Sequence, residues 1–396
     1  MHRRLTASAA RTVAIATMAL LLAACSSGLS GQATPSPAAP SPAATSATPP
    51  TTIGPLAVMV QRAGGAEPYV IQLIRPDGRA LPAIHALSRS LKTYYPPASP
   101  CPSGQCGPAT ANYQLPETSV STTHLYFLDG EADLKSLSPS GTVSLIRHLD
   151  VEANSNVAFA VSPDDRRIAI AVITYAAAGP AAAFGLRLYT EDLFGGGHRA
   201  EVFTSTSVVE WPVGWHNGKV VLAIGDPGVF TGFNPYGAIE YHLVDPTTWT
   251  RQAVLTCSFG LLVEAGSACS KPPTLGRQDW TGTALTFRLD PAGAVSRLQP
   301  AYLALSPDGR QVAGGVKAAT AGTYDTELFE DGSESPLVAG AAPLGWLDQS
   351  HLLVLTPAGP AMAAVPGGTL TPVTGLAPLP GQGWPTLLGV LPAALG

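Results

Sequence analysis

Charge is what this chain has least of. Its 396 residues hold 22 Lys and Arg against 27 Asp and Glu, 12% in all, for a formal net charge of −5. No Lys/Arg run occurs beyond the extreme N-terminus, so the electrostatic footprint of a nucleic-acid binder is missing. No segment reaches the ~18 consecutive apolar residues of a membrane-spanning helix. Catalytic phrases are absent as well: no Gly-x-Ser-x-Gly elbow, no His-Glu-x-x-His, no P-loop, and no Gly-x-Gly-x-x-Gly in a strand–helix setting. The eight His residues are scattered, without metal-ligand spacing. Nothing in the sequence asks for a cofactor or a metal. What is plentiful is Gly, with 41 residues, and Pro, with 38. Together with low charge, that suits many short strands joined by tight turns and argues against long helices.

One stretch organises the rest. In Tyr302 to Val316, YLALSPDGRQVAGGV, two apolar alternating runs flank Ser306-Pro307-Asp308-Gly309. Pro presets φ, Asp bonds its own backbone and Gly accepts φ > 0, so the spacing predicts a β-hairpin. The phrase recurs at Val157 to Val172, VAFAVSPDDRRIAIAV, with Asp165 in the place of Gly. A second phrase also repeats. Gly214-Trp215 and Gly345-Trp346 are each followed by a short polar turn and an apolar strand. Asp turns recur at Asp245-Pro246, Asp290-Pro291 and Asp331-Gly332, each between apolar stretches. Two copies of each longer phrase indicate a repeat architecture with a period of roughly 40–50 residues.

The N-terminus carries the most specific signal. His2-Arg3-Arg4 and Arg11 form a basic region, and Thr12 to Ala24 is apolar but short for a membrane span. It ends in Leu22-Ala23-Ala24-Cys25, which resembles the lipobox of bacterial lipoproteins. The resemblance implies a signal peptide over 1–24 and a diacylglyceryl group on the Cys25 thiol. Arg3-Arg4 is followed by Leu5-Thr6, which fits twin-arginine export poorly, so the export route stays open. Residues 25–54, almost wholly Ser, Ala, Pro, Thr and Gly, cannot bury enough apolar surface to fold and read as a disordered tether. Its fully extended reach is on the order of 80 Å. Four cysteines remain after Cys25, an even number that favours disulfides in an exported protein. The simplest of three connectivities joins Cys101 to Cys106 and Cys257 to Cys269; a structural zinc is the rival reading.

The Ser-Pro-Asp-Gly-Arg hairpins alternating with Asp turns resemble the repeats of TolB-like and WD40-like β-propellers. The likeness covers most of residues 55–396, with the hairpins at 157–172 and 301–316 matching well. It implies an all-β propeller, with blades near 55–115, 116–152, 153–206, 207–256, 257–299, 300–341 and 342–396. Seven blades is the expectation, with six and eight as alternatives and two β-sandwiches as the other fold. Trp384 to Leu391 would complete the first or last blade and close the ring. The family motif is structural, and protein–protein interaction is its commonest role there.

Candidate site residues are therefore few. Asp164 and Asp308 read as turn formers, and Gly195-Gly196-Gly197-His198 as a hairpin turn rather than an anion nest. Trp211, Trp215 and Trp346 read as core. Gly225 to Tyr241 interrupts its blade with a Gly/Pro loop bearing Phe230, Phe233 and Tyr236. Tyr94, Tyr95 and Tyr113 surround the Cys101–Cys106 loop. Aromatics on such loops bury much area at low rotamer cost and anchor partners. The sequence thus points to a lipid-anchored, extracytoplasmic binding module with an envelope protein or extracellular ligand as partner. An envelope hydrolase or lyase with its site at the channel mouth is the alternative.

Overall fold

The computed structural model describes residues 52–62, 68–89, 93–94, 111–112, 118–152, 155–175, 184–225, 238, 240–256, 259–271, 274–281, 283–288, 297–377, 386–391 and 394–395. The chain divides into Met1–Pro49 and Pro50–Gly396, and all described residues belong to the second unit.

The two Ser-Pro-Asp phrases show how the strands are made. The Ser306 N–H donates to Gln311 O at 2.8 Å and the Gly309 N–H to Ser306 O at 2.8 Å. The Ser306 hydroxyl accepts from the Arg310 and Gln311 amides at 3.1 and 2.9 Å while donating to Asp308 Oδ1 at 2.6 Å. Ser162 repeats the pattern: its amide donates to Arg167 O at 2.9 Å, and its hydroxyl donates to Asp164 Oδ1 at 2.6 Å. The fourth turn residue needs φ > 0, and Gly309 at 69° and Asp165 at 56° supply it. Each turn therefore carries its own hydrogen bonds and fixes the register of the strands it joins.

Seven four-stranded antiparallel sheets follow from such turns, and they form a β-propeller. Blade two is Thr118–Val120, Leu125–Asp129, Asp133–Leu137 and Val143–His148. Blade three is Ser155–Val161, Arg167–Tyr175, Phe184–Asp192 and Ala200–Ser205. Blade four is Val209–His216, Lys219–Gly225, Glu240–Val244 and Arg251–Leu255. Blade five is Phe259–Leu262, Gly266–Lys271, Thr274–Asp279 and Ala284–Arg288. Blade six is Leu298–Leu305, Val312–Lys317, Tyr324–Glu330 and Ser333–Val338. Blade seven is Ala342–Asp348, His351–Thr356, Gly359–Ala364 and Leu370–Pro372. In blades two to seven the first strand is innermost, and those of blades two and three, three and four, five and six, and six and seven lie against one another.

Blade one is assembled from both ends of the chain. Leu56–Arg62, Tyr69–Ile74 and Ile84–Ala86 provide three strands, and Thr386–Leu391 adds the inner one, with Leu56 opposite Leu391. The expected unit 55–115 thus ends early, and of the expected closing segment Trp384 to Leu391 the described part, Thr386–Leu391, belongs to the first blade rather than the last. Thr52–Ile53 pairs with Ala394–Leu395 beside this seam. Buried Gln72 adds a pin: its Nε2 donates to Gly375 O at 3.2 Å and its Oε1 accepts from the Ala377 amide at 3.0 Å. The Asp turns at 245 and 331 join third to outer strands inside their blades, whereas 289–290 falls outside the described residues.

Packing is between blades, not within them. One core joins blades two and three, another three, four and five, and others five and six, six and seven, seven and one, and one and two. The Gly-Trp phrases act on both neighbours at once. Trp215 is 6% exposed and its indole N–H donates to Ala160 O of blade three at 3.0 Å. Trp346 is 5% exposed and donates to Ala304 O of blade six at 3.2 Å. Each acceptor stands two residues before the Ser of a Ser-Pro-Asp turn. Burying each indole contributes roughly 4–6 kcal/mol before the entropy of ordering is set against it. The glycine ahead of the Trp serves the following blade. A Cβ on Gly214 would stand 2.7 Å from Val263 Cγ2, and one on Gly345 would stand 2.4 Å from Leu387 Cδ2. Because Val263 is branched and stiff, Gly214→Ala is expected to destabilise the protein by about 1–3 kcal/mol. Chemical denaturation checks this, and an unchanged midpoint would mean the blades part without cost.

Candidate binding face

The strand order gives the propeller two unequal faces. On one, inner strands turn into second strands and third into outer; we call it the turn face. No connection there is longer than the nine residues 75–83. On the other, the loop face, second strands pass to third and each outer strand passes to the next blade. The three longest connections, 87–117, 226–239 and 373–385, all leave from that face. The chain itself enters on the turn face, where Thr52–Ile53 leads into Leu56.

This topology places the sequence-derived candidates. Phe230, Phe233 and Tyr236 lie outside the described residues, in the connection that leaves Gly225 and returns at Glu240. Tyr95, Tyr113, Cys101 and Cys106 also lie outside them, within 87–117. Tyr94 is described in its backbone alone: Thr93–Tyr94 pairs with Ala111–Asn112, which draws the two ends of 95–110 together. Cys257 is outside the described residues, and Cys269 stands in Gly266–Lys271 beside Ala268, the partner of Phe259. Cys25 is outside them as well. The two aromatic stretches, separate in sequence, belong to connections of one face.

Described residues complete its rim. Buried Arg89 donates from Nη2 to Ser155 O at 2.9 Å and lies 3.9 Å from Glu131 Oε2, tying the end of blade one to blade three. Lys135 pairs with Asp129. Burial raises the Asp129 carboxyl, but bonds from Lys135 and the Leu87 amide outweigh it and hold the group below its ordinary value. On blade six, Tyr302 and Tyr324 meet edge to face with centroids 4.9 Å apart. Tyr302 reaches that place because Gly315 lacks a Cβ, which would stand 2.7 Å from the Tyr302 Cβ.

A charged network stands at the stem of 226–239, on the face of blade four that meets blade three. Arg251 donates from Nη2 to both Glu210 oxygens, at 2.7 and 2.8 Å, and from Nη1 to His242 Nδ1. His242 Nε2 is 3.0 Å from Glu240 Oε1. Phe203 of blade three lies 5.8 Å from the guanidinium. Burial, then the Arg251 charge, hold the His242 imidazole below its ordinary value, although Glu240 and Glu210 pull upward. The sequence reasoning passed over these residues. Their signal is polarity inside apolar strands, as in VEWPVGWH and EYHLV, within a chain so poor in charge.

The turn-face acids have no chemistry to spare. Ser162 holds the Asp164 carboxyl below its ordinary value, and Ser306 and Arg310 outweigh burial to do the same for Asp308. Both are turn formers, as expected. Gly195 to His198 is a hairpin turn between the third and outer strands of blade three. Trp211, Trp215 and Trp346 are core. Among the described residues, no three His, Cys, Asp or Glu side chains are grouped to hold a metal ion.

No protein-family model matches the chain, and no curated protein matches it. Solved structures do. A manganese-bound oligogalacturonate lyase is 10% identical, with a TM-score of 0.43 over 79% of this chain and 96% of that one. A protein from Lactobacillus plantarum is 13% identical, with a TM-score of 0.35 over 80% and 94%. A putative TolB from Agrobacterium tumefaciens is 15% identical, with a TM-score of 0.29 over 64% and 78%. The seven-bladed fold itself rests on strand order and register.

On the outer half of blade six, burial pushes the Glu327 carboxyl up to about 7, helped by a hydrogen bond and charge from Glu334 and by Asp325, against Arg297. The folded state therefore holds a proton that the unfolded chain releases near 4.5. Stability from this group is present below that pH and is lost as pH rises through about 7. Glu327→Gln is expected to flatten that decline and stabilise the protein above neutrality, on the order of 1–2 kcal/mol after solvent screening. Thermal melts from pH 4 to 8 test the sign; a variant less stable at pH 8 refutes it.

Proposed function

We propose that this protein is a lipid-anchored, extracytoplasmic β-propeller that serves the bacterial cell envelope as a non-catalytic binding module. Cys25 is its lipidation site, and 25–54 is the tether between membrane and propeller. Its partner is an envelope protein or extracellular ligand taken on the loop face. One observation carries the reading: the connections that hold Phe230, Phe233 and Tyr236, and Tyr94, Tyr95 and Tyr113, leave the propeller on the same face. The opposite face is closed by short, self-bonded turns. A surface with long aromatic insertions on one side only has the composition of a recognition surface.

The test is in-cell crosslinking with mass spectrometry of captured proteins. Wild type is compared with a variant carrying Phe230→Ala, Phe233→Ala and Tyr236→Ala. A discrete envelope protein held by wild type and lost in a folded variant is the expected result. Equal capture by both moves the site off this loop. No specific capture by either shifts the reading to an envelope hydrolase or lyase, to be pursued by substrate screening. In the same cells, Cys25→Ala is expected to move the protein from the membrane fraction to the soluble fraction; retention there would count against the anchor.

A further inference from the structure

The network of Glu210, Arg251, His242 and Glu240 has only one arrangement of protons that satisfies it. A guanidinium can only donate, so Arg251 Nη1 requires a lone pair on His242 Nδ1. The imidazole is then neutral with its proton on Nε2, which donates to Glu240 Oε1. Charge thus alternates from Glu210 through Arg251 and a neutral His242 to Glu240. The side chains of Glu210 and His242 are 4% and 13% exposed, so solvent cannot easily replace a lost partner.

Among the described side chains, no second acceptor faces a protonated ring. The second strand of blade four presents Leu222 opposite His242 and Ile224 opposite Glu240. Blade three presents Phe203 from its outer strand, and Glu201 on that strand is bonded to Arg199 at 3.3 Å. Among the described residues, the titratable and charged groups facing His242 are Glu210, Glu240 and Arg251. Adding a proton at Nδ1 sets an N–H against the Arg251 N–H and a positive charge against the guanidinium.

We infer that His242 is an acid-sensitive pin: when protonated it releases Arg251 and loosens blade four against blade three at the stem of 226–239. The binding connection and the pin share strands, so acidification alters the base from which that connection rises. The inference stands apart from the partner's identity and from the lipid anchor. Its sign follows from linkage. The folded state resists protonation, so the pin's stabilisation is complete above the unfolded-state histidine pKa near 6.5 and is lost as pH falls below it. The depressed folded pKa carries that loss further toward acid.

Hydrogen exchange on the full-length protein, with times corrected for intrinsic exchange, tests this. Between pH 7.5 and 5, peptides covering Glu240–Val244 and Arg251–Leu255 are expected to lose protection severalfold, while Arg167–Tyr175 is unchanged. His242→Gln supplies an acceptor and a donor without titrating, and is expected to abolish the response while keeping protection at pH 7.5. Glu240→Gln, which removes an upward pull on the imidazole, is expected to move the transition to lower pH. A response that survives in His242→Gln, or none in wild type, overturns the inference. Should His242→Gln fail to fold, imidazole nitrogen shifts of wild-type His242 decide instead. They are expected to report the Nε2–H tautomer at neutral pH, and the Nδ1–H tautomer refutes the pin.

Discussion

Everything in this molecule depends on the pairing of Thr386–Leu391 with Leu56–Arg62. A blade cannot bury its faces alone, and each apolar core is shared by neighbours. An open ring would therefore expose one face of blade one and one of blade seven, each rich in Val, Leu, Ala and Met. The closing strand covers both, because Leu387 and Val390 pack with Leu347 and Leu353 of blade seven while Leu391 joins the core of blades one and two. The seam is then reinforced by groups of a different kind. Gln72 binds the 375–377 backbone, Thr374 exchanges amide bonds with Gly78 and Ala80, and Thr52–Ile53 pairs with Ala394–Leu395. Redundant bonds at one seam fit the entropy of the problem, since the seam as a whole closes the longest loop among the described strands.

Within the ring, the repeat unit is two blades wide at two places. A Ser-Pro-Asp turn in blade three precedes a Gly-Trp strand in blade four, and the same order holds for six and seven. In both pairs the indole is anchored on the alanine carbonyl two residues before the serine. The turn sets where that carbonyl lies, because its own bonds fix the end of the inner strand. The Trp reads the position, and the glycine beside it leaves room for the next blade. Register is thereby passed from one blade to the next through a single polar bond inside an apolar contact.

The parts legible from the sequence are those with local causes. Ser306 and Asp308 satisfy one another and the adjacent amides, so five residues suffice to predict the hairpin. The blade boundaries followed from the spacing of such hairpins. The first blade was harder, because its inner strand lies more than 300 residues away and no local bond announces which neighbour it will join. The direction in which the long connections leave was also hidden until strands were counted, although it follows simply from antiparallel order. His242, Arg251 and Glu210 stayed invisible for another reason. Their relation lies across three strands of a twisted blade, and no spacing rule joins positions 210, 242 and 251.

Buried charge in so neutral a chain calls for a physical account. Blades six and seven share an apolar core crossed by the Trp346 indole bond and the Thr326 hydroxyl bond to Ala341 O, which shows that the fold can build a shared core without a buried ion pair. An apolar replacement of a buried ionic cluster is often neutral or stabilising, so stability alone does not explain Glu210 and Arg251. What an ionic cluster adds is dependence on protonation, and it adds it only where a group titrates near neutrality. Histidine is such a group by its ordinary pKa, and the two ring nitrogens of His242, whose pKa is lowered by burial and Arg251, are committed to partners of opposite charge. Titratable pairs also stand between blades two and three, where His124 meets Asp165 and Arg147 meets Glu191, but there the histidine is 37% exposed. As the acid-sensitive pin we infer, His242 makes the packing of blades three and four at the root of the 226–239 connection responsive to acid, because among the described residues it is held between an arginine and a glutamate.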